Sequence, residues 1–295
     1  RYNTKEQARF QLESMGRDFS ELESEDKLYK STLDKVEMEL RQLGRAQRLE
    51  RGFLPSFIFG PEDVVVVVGQ DGLVANTLKY LTGQPLVAIN PDPSRIEGVL
   101  LPFNPDDALG VVKATIQGKT GFQGVIMAEA ITSDGQRLLA VNDFFVGVRG
   151  HTSARYEIAW DGQREYQSSS GVIVSTGLGS SGWMRSVIMG AEGICRSAGI
   201  HLPDSAQLAG TKWDAAELYF YVREPFPGRA QNVDIIFGRV SQGRPLSLFS
   251  DMAEKGILFS DGMEDDYVVF SAGMEVKIGV AEQQAAQGHA ATLAT

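Results

Sequence analysis

A single cysteine, Cys195, stands among 295 residues, so no intramolecular disulfide framework is available to this fold. Histidine is nearly as scarce: His151, His201 and His289 show no metal-ligand spacing and read as surface or core residues. There is no apolar run long enough to cross a bilayer and no signal-peptide pattern. Positive charge is short as well. With 28 Lys and Arg against 38 Asp and Glu the net charge is -10, which argues against nucleic-acid and anionic-membrane partners. These absences predict a soluble protein of the reducing cytoplasm, in which any phosphate site rests on backbone amides and a few Lys or Arg. The sequence begins with Arg1 rather than Met, so further residues are expected upstream.

The most informative stretch is a run of five valines, 64–68, closed by Gly69-Gln70-Asp71-Gly72. Consecutive β-branched residues with no polar face predict a central parallel strand buried on both sides. Apolar residues at 74, 78 and 81 then follow helical spacing, and Gly83 supplies a stop. Residues 69–72 therefore form a strand-to-helix turn at the carboxyl end of a buried strand, where open α/β sheets bind ligands. Glycines permit close backbone approach, and the entering helix amides cradle an anion. Asp71 reads either as the cap of that helix, or as a residue that holds a metal or takes a proton from an attacking hydroxyl.

In chain order, helical patterns from Thr4 and over 20–43 precede a short element at 45–59. The strand at 85–90, broken by Pro91-Asp92-Pro93, completes a right-handed βαβ unit. A helix over 106–117 then gives way to Asp-Gly hairpins, 127–131 with 137–141 and 156–160 with 164–167. Further strands are predicted at 217–222, 233–236, 257–259, 267–270 and 274–280. The expected organisation is an α/β nucleotide-binding domain at 1–105, Rossmann-like with a parallel sheet, and a mainly antiparallel β domain at 106–282. The Ala- and Gln-rich tail, 283–295, is expected to fray.

One helix interrupts the β region. A short strand, 172–174, runs into hydroxyls and glycines at 175–182, and a helix follows with Trp183, Met184, Val187, Ile188, Ala191 and Cys195 on one face. Ser175, Thr176, Gly177, Gly179, Ser180 and Ser181 offer donors without bulk, which suits phosphate or ribose; a flexible connector capping the helix is the plainer alternative.

Together these stretches resemble the NAD kinase family, which belongs with the diacylglycerol kinase and phosphofructokinase-like folds. The family's Gly-Gly-Asp-Gly-Thr corresponds to Gly69-Gln70-Asp71-Gly72-Leu73, and its Gly-Ile-Asn strand end to Ala88-Ile89-Asn90. Its Asn-Glu corresponds to Asn142-Asp143, its long Gly-Asp-Gly to Gly-Ser-Thr-Ala-Tyr segment to residues 169–183, and its late Asp-Gly to Asp261-Gly262. All five occur in the family's order. The resemblance implies a cleft between an α/β and a β-rich domain where ATP, a divalent metal (Mg or Mn) and NAD meet, in a homo-oligomer whose ligands are small nucleotides. It implies Asp71 as the base that activates the adenosine 2′-hydroxyl. Gly69, Gln70, Gly72, Asn90, Asn142, Asp143, Ser170, Ser175, Thr176, Gly179, Ser180, Ser181, Trp183 and Asp261 would contact the nucleotides, and none of them is assigned as a metal ligand.

Departures from the pattern are equally specific. Gln70 replaces a glycine where phosphate would approach the backbone, Leu73 a threonine and Ser170 an aspartate, while 91–103 replaces a compact glycine-rich loop. The expected activity is phosphorylation of NAD to NADP. The alternatives are a silent NAD(P)-binding sensor or scaffold, and a kinase for another hydroxyl, such as that of a sugar or lipid headgroup.

Overall fold

A computed structural model describes residues 4–16, 18–200, 211–228, 233–263, 267–281 and 291–295. The helices are α1 (Lys5–Ser14), α2 (Ser20–Leu40), α3 (Asp71–Leu78), α4 (Ala108–Ile116) and α5 (Trp183–Ser197). The strands begin with β1 (Val65–Val68), β2 (Pro85–Ile89), β3 (Phe122–Val125), β4 (Ala128–Thr132), β5 (Arg137–Ala140), β6 (Asp143–Val148), β7 (Ala154–Trp160) and β8 (Gln163–Ser169). They continue with β9 (Val172–Ser175), β10 (Glu217–Val222), β11 (Phe237–Ser241), β12 (Leu246–Ser250), β13 (Gly256–Ser260), β14 (Val268–Val269), β15 (Glu275–Val280) and β16 (Ala291–Ala294). None of the described helices is long and apolar enough to cross a membrane.

The first sheet has the order β1-β2-β16-β3, parallel as far as β16 and antiparallel between β16 and β3. Alternation along the valine run sends Val65 and Val67 to one face, against Val74, Leu78 and Leu86, and Val66 and Val68 to the other, against Val36, Val87 and Val112. Both faces are therefore covered, as expected, but β1 lies at the sheet edge and not at its centre. A valine run reports how many faces are buried, not how many neighbours are hydrogen-bonded. At that edge the Tyr29 hydroxyl of α2 donates to the Val68 carbonyl at 3.2 Å.

The C-terminal segment corrects a second expectation. Leu293, 1% exposed, pairs with Leu86 on one side and Gln123 on the other, so 291–294 fill the sheet interior where fraying was predicted. Small residues with little periodicity gave no strand signal, because the pairing partners lie some 170 and 200 residues away in sequence. The first sheet thus draws β3 and β16 from beyond position 105, and α4 packs on it through Ala108 and Val112.

Two six-stranded antiparallel sheets form the rest, β11-β10-β9-β6-β13-β14 and β5-β4-β15-β12-β7-β8. Phe144, Val174 and Phe220 of one sheet meet Tyr156, Leu248 and Ile278 of the other in one core, each burial stabilising by roughly 1.5–3 kcal/mol. The predicted strand at 233–236 is displaced to β11. The amides of Asp234 and Ile235 bond the Glu165 carboxylate at 3.1 and 3.0 Å instead of a neighbouring strand. The ladder begins at Phe237, opposite Tyr221, and Gly238 next to it leaves room for the rings of Phe220 and Trp160. On the outer face Trp183, Met184, Val187 and Ile188 of α5 cover Phe145, Ile173 and Phe259. The expected apolar face runs short: Ala191 is exposed and Cys195 half-buried, because the second half of α5 leaves the sheet.

Candidate functional site

At the carboxyl end of β1, Gly69 is buried and a Cβ there would lie 2.9 Å from Leu73, whereas Gln70 and Gly72 are exposed. Asp71 opens α3, and its carboxylate accepts the amides of Val99 and Leu100 at 3.2 and 2.9 Å. It is thus both the first residue of a helix and the anchor of the long loop after β2. Asn90 holds the same loop from the other side. Its Nδ2 donates to the Ile96 carbonyl at 2.9 Å, and its Oδ1 accepts the Asp92 amide at 3.0 Å. Gly98, at φ +61, passes so close that a Cβ would sit 2.8 Å from that Nδ2. Asn90 is 4% exposed, and both ends of its side-chain amide bond the loop it anchors.

A second knot joins the β5–β6 turn to the ends of β9 and β13. Asp261, at φ +52, accepts the amides of Val141, Asn142 and Asp143, the Asn142 bond being 2.6 Å. Lys79, just past α3, donates to Ser260 Oγ at 3.0 Å and lies 3.4 Å from Asp261 Oδ2, with side-chain exposures of 7% for the lysine and 1% for the aspartate. Asp261 therefore orders the turn from within and has no free face for a ligand. Burial raises its pKa, opposed by Lys79 and the three amides. On the other side of the turn, Thr176 donates to the Val141 carbonyl at 2.5 Å and its hydroxyl accepts the Gly179 amide at 3.1 Å. Gly179 runs so close to Asn142 that a Cβ would fall 2.0 Å from its carbonyl oxygen. The backbone of Asn142, not its half-buried side chain, ties this knot.

Asp143 faces Ser175 across the β6–β9 ladder. Burial, and then the neighbouring Asp261 carboxylate, push its pKa up to about 7. The unfolded chain releases this proton near pH 4 and the native state holds it to about 7, so the residue makes stability fall as pH rises through that window, by about 1.4 kcal/mol per unit. Asp143→Asn should flatten the urea-midpoint profile between pH 4 and 7 and overtake the wild type at pH 8. Parallel profiles for the two proteins would show that Asp143 is ionised throughout.

Other expected contacts are spent locally or lie elsewhere. The hydroxyls of Ser175, Ser180 and Ser181 donate to the carbonyls of Thr176, Gly177 and Leu178 at 3.2, 2.6 and 3.0 Å, so the loop read as a bank of free donors is largely self-satisfied. Ser170 precedes β9, whose far end is Ser175, and has its amide on the Arg223 carbonyl. Trp183 stacks on Phe145 at 5.7 Å, with the Arg223 guanidinium 5.4 Å from its ring. Among the described residues no three His, Cys, Asp or Glu side chains gather to hold a metal. Asp71 and Asp261 both direct their oxygens at backbone amides, so this donor set does not build a protein-held cation cage.

The two knots are joined by α3, which starts at Asp71 and leads into Lys79, about 12 Å further along the axis. Val74 and Leu78 of this helix share a core with Leu100, Val141 and Leu178, so the helix is the packed seam between the first sheet and the sandwich. Lys79 was not legible as a site residue, its only signal being a lone cation after an apolar helix.

The fold recurs in solved structures. A crystal structure of an NAD kinase from Archaeoglobus fulgidus in complex with ATP matches with a TM-score of 0.56 at 21% identity, over 85% of this chain and 86% of that one. Yeast NADH kinase complexed with NADH matches with a TM-score of 0.55 at 16% identity, over 76% of this chain. The fold is that of the NAD kinases. This chain spans 62% of the length of the yeast structure, and no family model and no curated protein matches its sequence. Within the NAD kinase-like fold, the match covers the α/β part and the antiparallel part together, which agrees with the expected fold class.

Proposed function

We propose that this chain is a nucleotide phosphotransferase of the NAD kinase type, moving the terminal phosphoryl group of ATP to the 2′-hydroxyl of NAD. The observation that carries this reading is the placement of Asp71: a carboxylate held by two backbone amides at the opening of α3, on a turn kept narrow at Gly69. The first amides of a helix have no partner within it and suit a phosphate. The two amide hydrogen bonds fix the direction of the carboxylate while leaving each oxygen a lone pair. Asp71 would take the hydroxyl proton as that oxygen attacks the terminal phosphorus and ADP departs. Asn142, whose backbone is locked by Asp261 and Thr176, would bond the adenosine part. Two knots about 12 Å apart along α3 suit an elongated ligand.

A second reading, an NAD(P) binder without turnover, is favoured by Gln70, exposed where the family pattern has glycine, and by the two backbone amides that already engage the Asp71 carboxylate. Titration with NAD, NADP and ATP, followed by an assay for NADP formation with magnesium or manganese, separates the two. Phosphorylation of a sugar or lipid headgroup but not of NAD would select another acceptor. Asn142→Ala should raise the NAD dissociation constant about tenfold with the fold intact, the worth of one hydrogen bond left unmade. Unchanged affinity would return Asn142 to a purely structural role.

A further inference from the structure

Gly72, Asn76 and Lys79 stand at i, i+4 and i+7 on α3 and its C-cap, and so share one stripe of the helix. This stripe runs from the exposed turn at Gly72 to Lys79, which reaches Ser260 and Asp261 beneath the 141–143 turn. Asn76, between them, is 3% exposed, and its Oδ1 is a buried side-chain acceptor with no hydrogen-bond partner. Other buried polar side chains of the described residues are satisfied: the adjacent Thr77 donates to the Leu73 carbonyl at 2.7 Å, and Asn90, Thr176 and Asp261 are bonded as described. An unpaired buried acceptor is costly, and an asparagine on the buried side of a helix with Val74, Ala75, Thr77 and Leu78 serves neither helix propensity nor packing.

We propose that Asn76 is a ligand-contacting residue, whose Oδ1 accepts a hydrogen bond from a hydroxyl or amino group of a nucleotide bound between α3 and the 141–143 turn. This rests on the nucleotide reading above and adds to it a contact that the motifs do not contain. The residue is a stability liability in the free protein and a specificity element in the complex, because a ligand lacking a donor at that point leaves the acceptor unpaired.

The test compares Asn76→Leu and Asn76→Ala with the wild type by urea unfolding and by calorimetric titration with NAD. A ligand contact predicts a urea midpoint at or above the wild-type value in at least one variant, together with an NAD dissociation constant raised about tenfold. Unchanged NAD affinity in both variants overturns the proposal. So does weakened binding that accompanies a lowered urea midpoint in both, since that marks a structural residue. A wild type that binds neither NAD nor ATP fails the nucleotide reading itself and takes this contact with it, an outcome distinct from wild-type binding that the variants leave untouched.

Discussion

Asp261→Ala is expected to lower the free energy of unfolding by about 3–5 kcal/mol, the usual cost of removing one partner of a buried ion pair. The change strips three backbone amides of their acceptor and leaves Lys79, 7% exposed, without its counter-charge. It also removes the constraint that orders Val141, Asn142 and Asp143, so the seam between α3 and the sandwich should loosen together with the turn. Urea denaturation followed by tryptophan fluorescence measures this. Asp261→Asn should fall between wild type and alanine, because the amide oxygen keeps one acceptor while the charge is lost. A loss under about 1 kcal/mol for the alanine variant would mean that the knot does not depend on this carboxylate. The double variant Asp261→Ala with Lys79→Met should recover part of the loss, since the orphaned cation is gone.

Asp71→Asn is expected to lower turnover by about 10²–10⁴, the range for removing a general base, with the NAD dissociation constant within a few-fold of wild type. The asparagine oxygen can still accept one amide of the 98–101 turn, so the loop is weakened rather than released. A variant that keeps full kcat would leave Asp71 as the anchor of that loop and no more.

Much of the architecture was legible because it rests on local signals. The valine run, the Asp-Gly hairpins at 133–135 and 161–162 and the spacing of α3 each encode an element in a few adjacent residues. What the sequence hid is non-local. Placing β1 at an edge and β16 inside the same sheet depends on pairings between distant segments, to which side-chain alternation is blind. The site divides in the same way. The serial order of the motifs located Asp71, Asn142 and Asp261, but their partners decide what each one does. Asp261 and Asn90 carry motif identities, and their observed side-chain bonds go to the chain itself. Lys79 and Asn76 carry no motif; they stand out only when burial and missing or paired charges are known. Ser170, where the family pattern has aspartate, precedes β9 and gives its amide to the Arg223 carbonyl.

Formation of NADP from saturating NAD and ATP with magnesium or manganese, followed in parallel for wild type and Asp71→Asn, bears most directly on the phosphotransferase reading. The account predicts steady accumulation of NADP with wild type and a rate lower by about 10²–10⁴ with the variant. Wild-type protein that binds NAD by titration yet forms no NADP with either metal would contradict it, and would identify the fold here as a dinucleotide-binding module.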